Sequence, residues 1–257
     1  MSLPITATIV ARNEGGKISK CLASLKGVVD EIIFVHDGPC TDATLEIAKK
    51  YCARIFVMEY VGEAEPHRRF CWVQASNNWI LQIDADEFLT NSLRDKLSSL
   101  INVTRVVGYR FKWNIAFAGE KPNYDTKLAL YRKDAIVEFL GIPHETVKLN
   151  GKIITLKNIE LRHDRGSISD SRMKHKLAVW PQVHGSYTAR YKYGWFPTIL
   201  LPAGYLFYPL YSVAIHLLRG RIRNMQQAKN VILYAFRFWH AFTSARIKKL
   251  KNGRGAN

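Results

Sequence analysis

Acidic and polar side chains collect immediately after short apolar runs in the first third of the chain. Asn13 and Glu14 follow residues 5–10, Asp37 follows 31–35, and Asp84 and Asp86 follow 79–83. Two carboxylates one residue apart can together face a hard divalent cation, which bridges diphosphate oxygens and offsets charge developing on a leaving group. The chain has neither a G-x-x-x-x-G-K-[ST] loop nor a G-x-G-x-x-G fingerprint. A P-loop NTPase and an ordinary dinucleotide-binding enzyme are therefore disfavoured, and phosphate must be held another way. The same residues also have plainer uses: Asp37 before Gly38 suits a turn, Glu14 can cap the next helix, and Arg68 can be a solvated helix residue.

The runs carrying these groups read as strands joined by helices. Residues 5–10 are short and β-branched, a polar break follows, and Ile18, Cys21, Leu22 and Leu25 recur at helical spacing. Residues 31–35 repeat the strand pattern, and Thr41 or Asp42 signals a helix carrying Ala43, Ile47 and Ala48. Residues 55–58 form a third strand, 67–77 a third helix and 79–83 a fourth strand. Such alternation calls for an α/β fold with a mostly parallel, Rossmann-like sheet, helices on both faces, and ligands beyond the carboxyl ends of the strands. With 257 residues, 47% hydrophobic and 23% charged, the chain can bury a sizeable core, which excludes disorder for most of it. The four cysteines show no C-x-x-C pair, which argues against a zinc site or disulfide framework and for a reducing compartment. Residues 1–4 lack the basic start of a secretory signal, so no processing is expected.

Residues 7–14 (ATIVARNE), 37–44 (DGPCTDAT), Arg68 and 84–87 (DADE) stand in an order and spacing that resemble the family-2 glycosyltransferases of GT-A fold. Within them the chain is similar to the lipopolysaccharide-core and polysaccharide glucosyltransferase-like branch, over roughly residues 3–165. The resemblance implies a GT-A nucleotide-sugar-binding domain over residues 1–170 and a role for each matching position. Asp37 would receive the nucleotide base, Glu14 the nucleoside, Arg68 the base or diphosphate, and Asp84 the ribose. Asp86 would hold Mg²⁺ or Mn²⁺, His163 would complete that metal site, and Glu145 would be the catalytic carboxylate. Two departures stand out: Pro39-Cys40 replaces the usual Gly-Ser, and His144-Glu145 replaces an acidic pair. One carboxylate base opposite the leaving group gives a single in-line displacement and inversion. The implied donor is a nucleoside-diphosphate sugar, UDP-sugar foremost, and the acceptor a lipid-linked or cell-envelope glycan.

The charge balance marks off the remainder. Lys and Arg number 38 against 21 Asp and Glu, a net +17, yet residues 171–257 hold 15 of the basic residues and no acidic one. Residues 1–170 are left near neutrality. A carboxylate-free basic region suits a polyanionic surface; no nucleic-acid-binding motif is present, so an anionic membrane is favoured over nucleic acid. Residues 195–218 contain no Lys, Arg, Asp or Glu but include Pro197, Pro202, Pro209 and Gly204. Basic residues flank both ends, which favours an interfacial or re-entrant hairpin at the cytoplasmic face over a single span. Val231, Tyr234, Ala235, Phe238, Phe242 and Ala245 then form one stripe of a basic amphipathic helix. That stripe can lie in the membrane surface, pack on the catalytic domain, or join a second copy in a homo-oligomer. Two other functional readings fit the residues less fully: a nucleotidyltransferase on a related α/β fold, and a non-catalytic membrane-surface binding protein.

Overall fold

The computed structural model describes residues 2–51, 53–116, 121–139, 141, 146–164, 174, 177–182, 185, 201–218, 222 and 224–253. The chain divides into two compact units, Met1–Ser167 and Ile168–Asn257.

The first unit alternates strand and helix as its sequence pattern requires: β1 (Leu3–Ala11), α1 (Ile18–Leu25), β2 (Val29–Asp37), α2 (Thr44–Lys49), β3 (Arg54–Met58), α3 (Glu65–Gln74) and β4 (Trp79–Gln82). There follow β5 (Glu87–Leu89), α4 (Asn91–Ile101), β6 (Val106–Asn114), β7 (Tyr124–Arg132), a short β8 (Ile136–Glu138) paired with β9 (Lys148–Leu149), and β10 (Lys152–His163). Eight strands form one sheet in the order β3-β2-β1-β4-β7-β6-β10-β5.

β1, β2, β3 and β4 run parallel, so their carboxyl ends all reach the same edge of the sheet. β1 and β2 are buried over most of their length, because helices cover both faces of a parallel sheet. α1 seals one face with Ile18, Cys21, Leu22 and Leu25, and α3 buries Cys71 and Trp72 along with the polar His67 and Arg68. α2 starts later than its capping signal suggests. Asp42 accepts from the Thr44 amide at 2.9 Å and hydroxyl at 2.5 Å and from the Gly15 amide at 2.9 Å, which ties the α2 start to the loop after β1.

β7 reverses direction beside β4, with Leu81 opposite Leu130. β6 runs antiparallel to β7, β10 parallel to β6, and β5 antiparallel to β10 with Glu87 opposite His163. These non-local pairings carry no periodicity that a local reading could register.

The second unit contains α5 (Leu201–Leu218) and α6 (Met225–Gly253). They pack as an antiparallel hairpin. Tyr208 stacks on Phe238 and Trp239 at ring-centroid distances of 5.0 and 5.5 Å, and the Tyr205 hydroxyl lies 3.0 Å from Thr243 Oγ1. Gly204 admits the Trp239 indole where any Cβ would overlap it. The apolar stripe of α6 is thus used, in part, to cover α5. Among the described residues no helix is long and apolar enough to cross a membrane.

Candidate functional site

The parallel block delivers Asp84, Asp86 and Glu87 to a tight turn beyond β4. The Glu87 amide donates to the Asp84 carbonyl at 2.9 Å, and the Asp84 amide donates to Glu87 Oε2 at 2.9 Å, so the acidic run closes on itself. Lys127 sits at the centre of this turn. Its Nζ lies 2.7 Å from Asp84 Oδ2 and 2.7 and 2.6 Å from the two Glu87 oxygens. The register explains its reach: Leu81 faces Leu130 on an antiparallel partner, so three residues further along β4 the chain meets a residue three earlier on β7. Arg68, buried on α3, donates to the other Asp84 oxygen at 3.0 Å, while its buried Nε has no hydrogen-bond partner among the described residues.

Charge is shared across this group in definite directions. Burial pushes the Asp84 carboxyl up, but Lys127 and Arg68 outweigh it and hold it well below the usual carboxylate range. Burial also disfavours the Lys127 ammonium, and Asp84 and Glu87 overcome this and raise its pKa. Glu87, fully buried, is raised by desolvation despite Lys127. Asp84 is therefore an anion with its oxygens committed to two cations, positioned rather than free.

Asp86 faces the other way. Its Oδ2 lies 3.5 Å from His163 Nε2 and 3.8 Å from Lys17 Nζ, and Lys17 also approaches Glu14 at 3.9 Å. The His163 Nδ1 lies 2.8 Å from the Asn114 carbonyl, which can only accept, so that nitrogen carries a proton and Nε2 is aimed at Asp86. Burial lowers the His163 pKa and opposes the ionised Asp86, yet their mutual hydrogen bond raises the one and lowers the other. Among the described residues no group of three or more His, Cys, Asp and Glu side chains is arranged to hold a metal. A carboxylate and an imidazole anchored through its second nitrogen are nevertheless the kinds of donor a divalent cation accepts.

Trp113 joins the two halves. Its ring stacks on His163 at 4.7 Å between centroids, and its Nε1 donates to Glu87 Oε1 at 2.7 Å. Lys127 carries no signal in the sequence; Glu87 is contiguous with the acidic pair, and Trp113 is an aromatic residue that core packing explains as readily as a site.

The structure brings Arg68, Asp84, Asp86 and His163 together around the turn after β4, with Glu14 linked to Asp86 through Lys17. Asp37 forms a different group. Its Oδ1 accepts from the Val61 amide at 2.7 Å and lies 2.9 Å from His67 Nε2, and its Oδ2 accepts from the Gly62 amide at 2.8 Å. The buried carboxylate thereby shapes the loop after β3. That loop presents Tyr60, half-exposed, with the Arg12 guanidinium 3.7 Å above its ring centre. Gly38, at φ +82°, permits this approach, since a Cβ there would meet Tyr60 Cβ at 2.8 Å. The loop after β1 is pinned by Asn13, itself in the left-handed region at φ 49°, through reciprocal bonds with Thr41 of 2.8 and 3.0 Å. Glu145 and its neighbour His144 lie outside the described residues.

The family model of glycosyl transferase family 2 matches residues 6–146, more than half of the chain. An uncharacterized glycosyltransferase of Rickettsia prowazekii is 29% identical over 64% of this chain and 61% of its own length. The lipopolysaccharide core biosynthesis glycosyltransferase LpsC of Rhizobium meliloti is 32% identical over 42% of this chain and 41% of its own. The chain thus covers less than two thirds of the length of these relatives. The crystal structure of residues 1–349 of S. aureus TarS aligns with 97% of this chain and 92% of that one, at 13% identity and a TM-score of 0.49.

Proposed function

Because the chain belongs to glycosyl transferase family 2, we propose that it is a glycosyltransferase that moves a sugar, with inversion, from a nucleoside-diphosphate donor to an envelope glycan or lipid-linked acceptor. UDP-sugar is the favoured donor. The observation that carries this reading is the opposed orientation of the two aspartates after β4: Asp84 fixed by Arg68 and Lys127, Asp86 turned toward His163.

In this reading Asp86 and His163 hold Mg²⁺ or Mn²⁺. When bound, the cation neutralises diphosphate charge and eases departure of the nucleoside diphosphate. Asp84 orients the ribose, held in place by its two cations. Arg68 keeps a permanent charge beside the site, where it favours an anionic diphosphate. Glu14 lies toward the nucleoside, and Asp37 contributes by ordering the loop that presents Tyr60. Glu145 accepts the acceptor hydroxyl proton as the acceptor oxygen bonds to the anomeric carbon and the bond to the phosphate oxygen breaks on the opposite face. An α-linked donor then yields a β-linked product. The LpsC relative supports an envelope-glycan acceptor, and the basic residues after 170 support a site of action at the cytoplasmic membrane face.

The test is a donor panel of UDP-, GDP- and dTDP-sugars, each with Mg²⁺, Mn²⁺ or chelator, read by calorimetry and by slow donor hydrolysis. One donor should bind in a metal-dependent way and release nucleoside diphosphate, and Asp86→Ala should reduce that signal by about a hundredfold or more. Release of pyrophosphate would point to nucleotidyl transfer, and failure of every donor to bind would end the proposal.

A further inference from the structure

We propose that the solvent-facing side of α5 is a membrane-docking face that beds into the interfacial layer of an anionic bilayer, with the helix lying in the membrane plane. Leu206, Phe207, Leu210, Tyr211, Leu217 and Leu218 recur at helical spacing along it, and each is between 53% and 84% exposed. They sit opposite the side that carries Gly204 and Tyr208 into the contact with α6. An apolar strip of this extent on a helix without one charged residue is not ordinary surface, because water-exposed helix faces carry charges.

Its occupant follows from charge. No Asp or Glu occurs between residues 171 and 257, which hold 15 Lys and Arg. Two copies of this region brought face to face would repel, and a partner that suits it must be anionic over a broad area. A leaflet containing acidic lipids supplies negative headgroups for the basic residues and an apolar layer for the strip. The opposite side of α5 is packed on α6, so the strip meets the bilayer sideways, along the length of the helix. Tyr211 suits the headgroup boundary, with an apolar ring and a polar tip. The helix that inserts is thus α5, whereas the stripe of α6 that a sequence reading nominates for the lipid is turned partly onto α5.

Cosedimentation of the 257-residue chain with vesicles tests this without any sugar substrate, so it stands or falls apart from the catalytic reading. Binding should be strong to phosphatidylcholine vesicles containing one third phosphatidylglycerol, weak to phosphatidylcholine alone, and reduced by salt. The variant F207E/L210E should weaken binding by at least about tenfold, and Leu218→Glu, at the most exposed position, by about threefold. F207L/L210F should bind as the parent does. Undiminished binding of F207E/L210E and Leu218→Glu would overturn the proposal, as would failure of the parent chain to bind either vesicle. So would a lipid-free dimer, seen by light scattering, that F207E/L210E dissociates.

Discussion

Lys127 has three carboxylate oxygens within 2.7 Å and a side chain only 13% exposed, so its charge is balanced locally instead of by solvent. Removing one member of such a buried group costs more than the group contributes, because the remaining charges are left without a counterion. Lys127→Met is therefore expected to lower unfolding free energy by about 3–5 kcal/mol in urea titrations. It should also weaken donor binding, since Asp84 loses one of the two cations that orient it. Lys127→Arg restores the charge but not the compact point contact, and should recover stability before it recovers binding. The acidic pair was legible in the sequence because both residues follow an apolar run directly. Lys127 was not, because its position is set by the antiparallel register of β7 on β4. Asp37 shows the same division: its place at a strand end was readable, but its partners Val61, Gly62 and His67 come from the next loop and helix.

Strands and helices up to β4 follow from local pattern, since β-branched runs broken by polar loops leave little choice of period. Beyond β4 the chain is less legible, as β5, β7 and β10 depend on pairings between distant segments. Within the parallel block, Glu31 acts as a cross-strand clamp. From β2 it accepts the Thr6 hydroxyl of β1 at 2.7 Å, Arg54 of β3 at 2.6 Å, and the amide and hydroxyl of Ser76 at 2.8 and 3.0 Å. Burial opposes its ionisation, but these donors prevail and hold its pKa below the ordinary value. The sign of the pH dependence is then fixed. The stabilisation is complete above the unfolded-state pKa near ~4.3 and is lost as pH falls through the depressed folded value. The parent chain should exceed Glu31→Gln by about 1–3 kcal/mol at neutral pH. Urea titrations at successively lower pH should show that gap closing.

At the scale of the whole molecule, charge and chemistry are segregated. The near-neutral first unit contains the paired aspartates, and the basic residues after 170 account for nearly all of the net +17. Ionic strength should separate the two activities accordingly. Between about 50 and 300 mM salt, donor affinity in the presence of metal should change by less than about twofold, whereas association with anionic vesicles should fall several-fold. Parallel calorimetry and cosedimentation on the same protein would measure both. The amphipathic character of residues 231–245 was legible in the sequence, but what lies against it was not, since a period of 3.6 gives the face and never the neighbour.

The β5–β10 pairing sets Glu87 opposite His163 and joins the Asp164 amide to the Asp86 carbonyl at 2.8 Å. Asp86 and His163, the two donors of the proposed cation site, are thereby brought together from segments that precede β5 and end β10, with β6 to β9 made in between. During synthesis a ribosome-bound chain that has completed the entire parallel block still lacks its imidazole. On the proposed reading, donor capture waits until β10 has emerged and docked, and a chain ending before His163 is expected to bind donor no better with Mg²⁺ than with chelator.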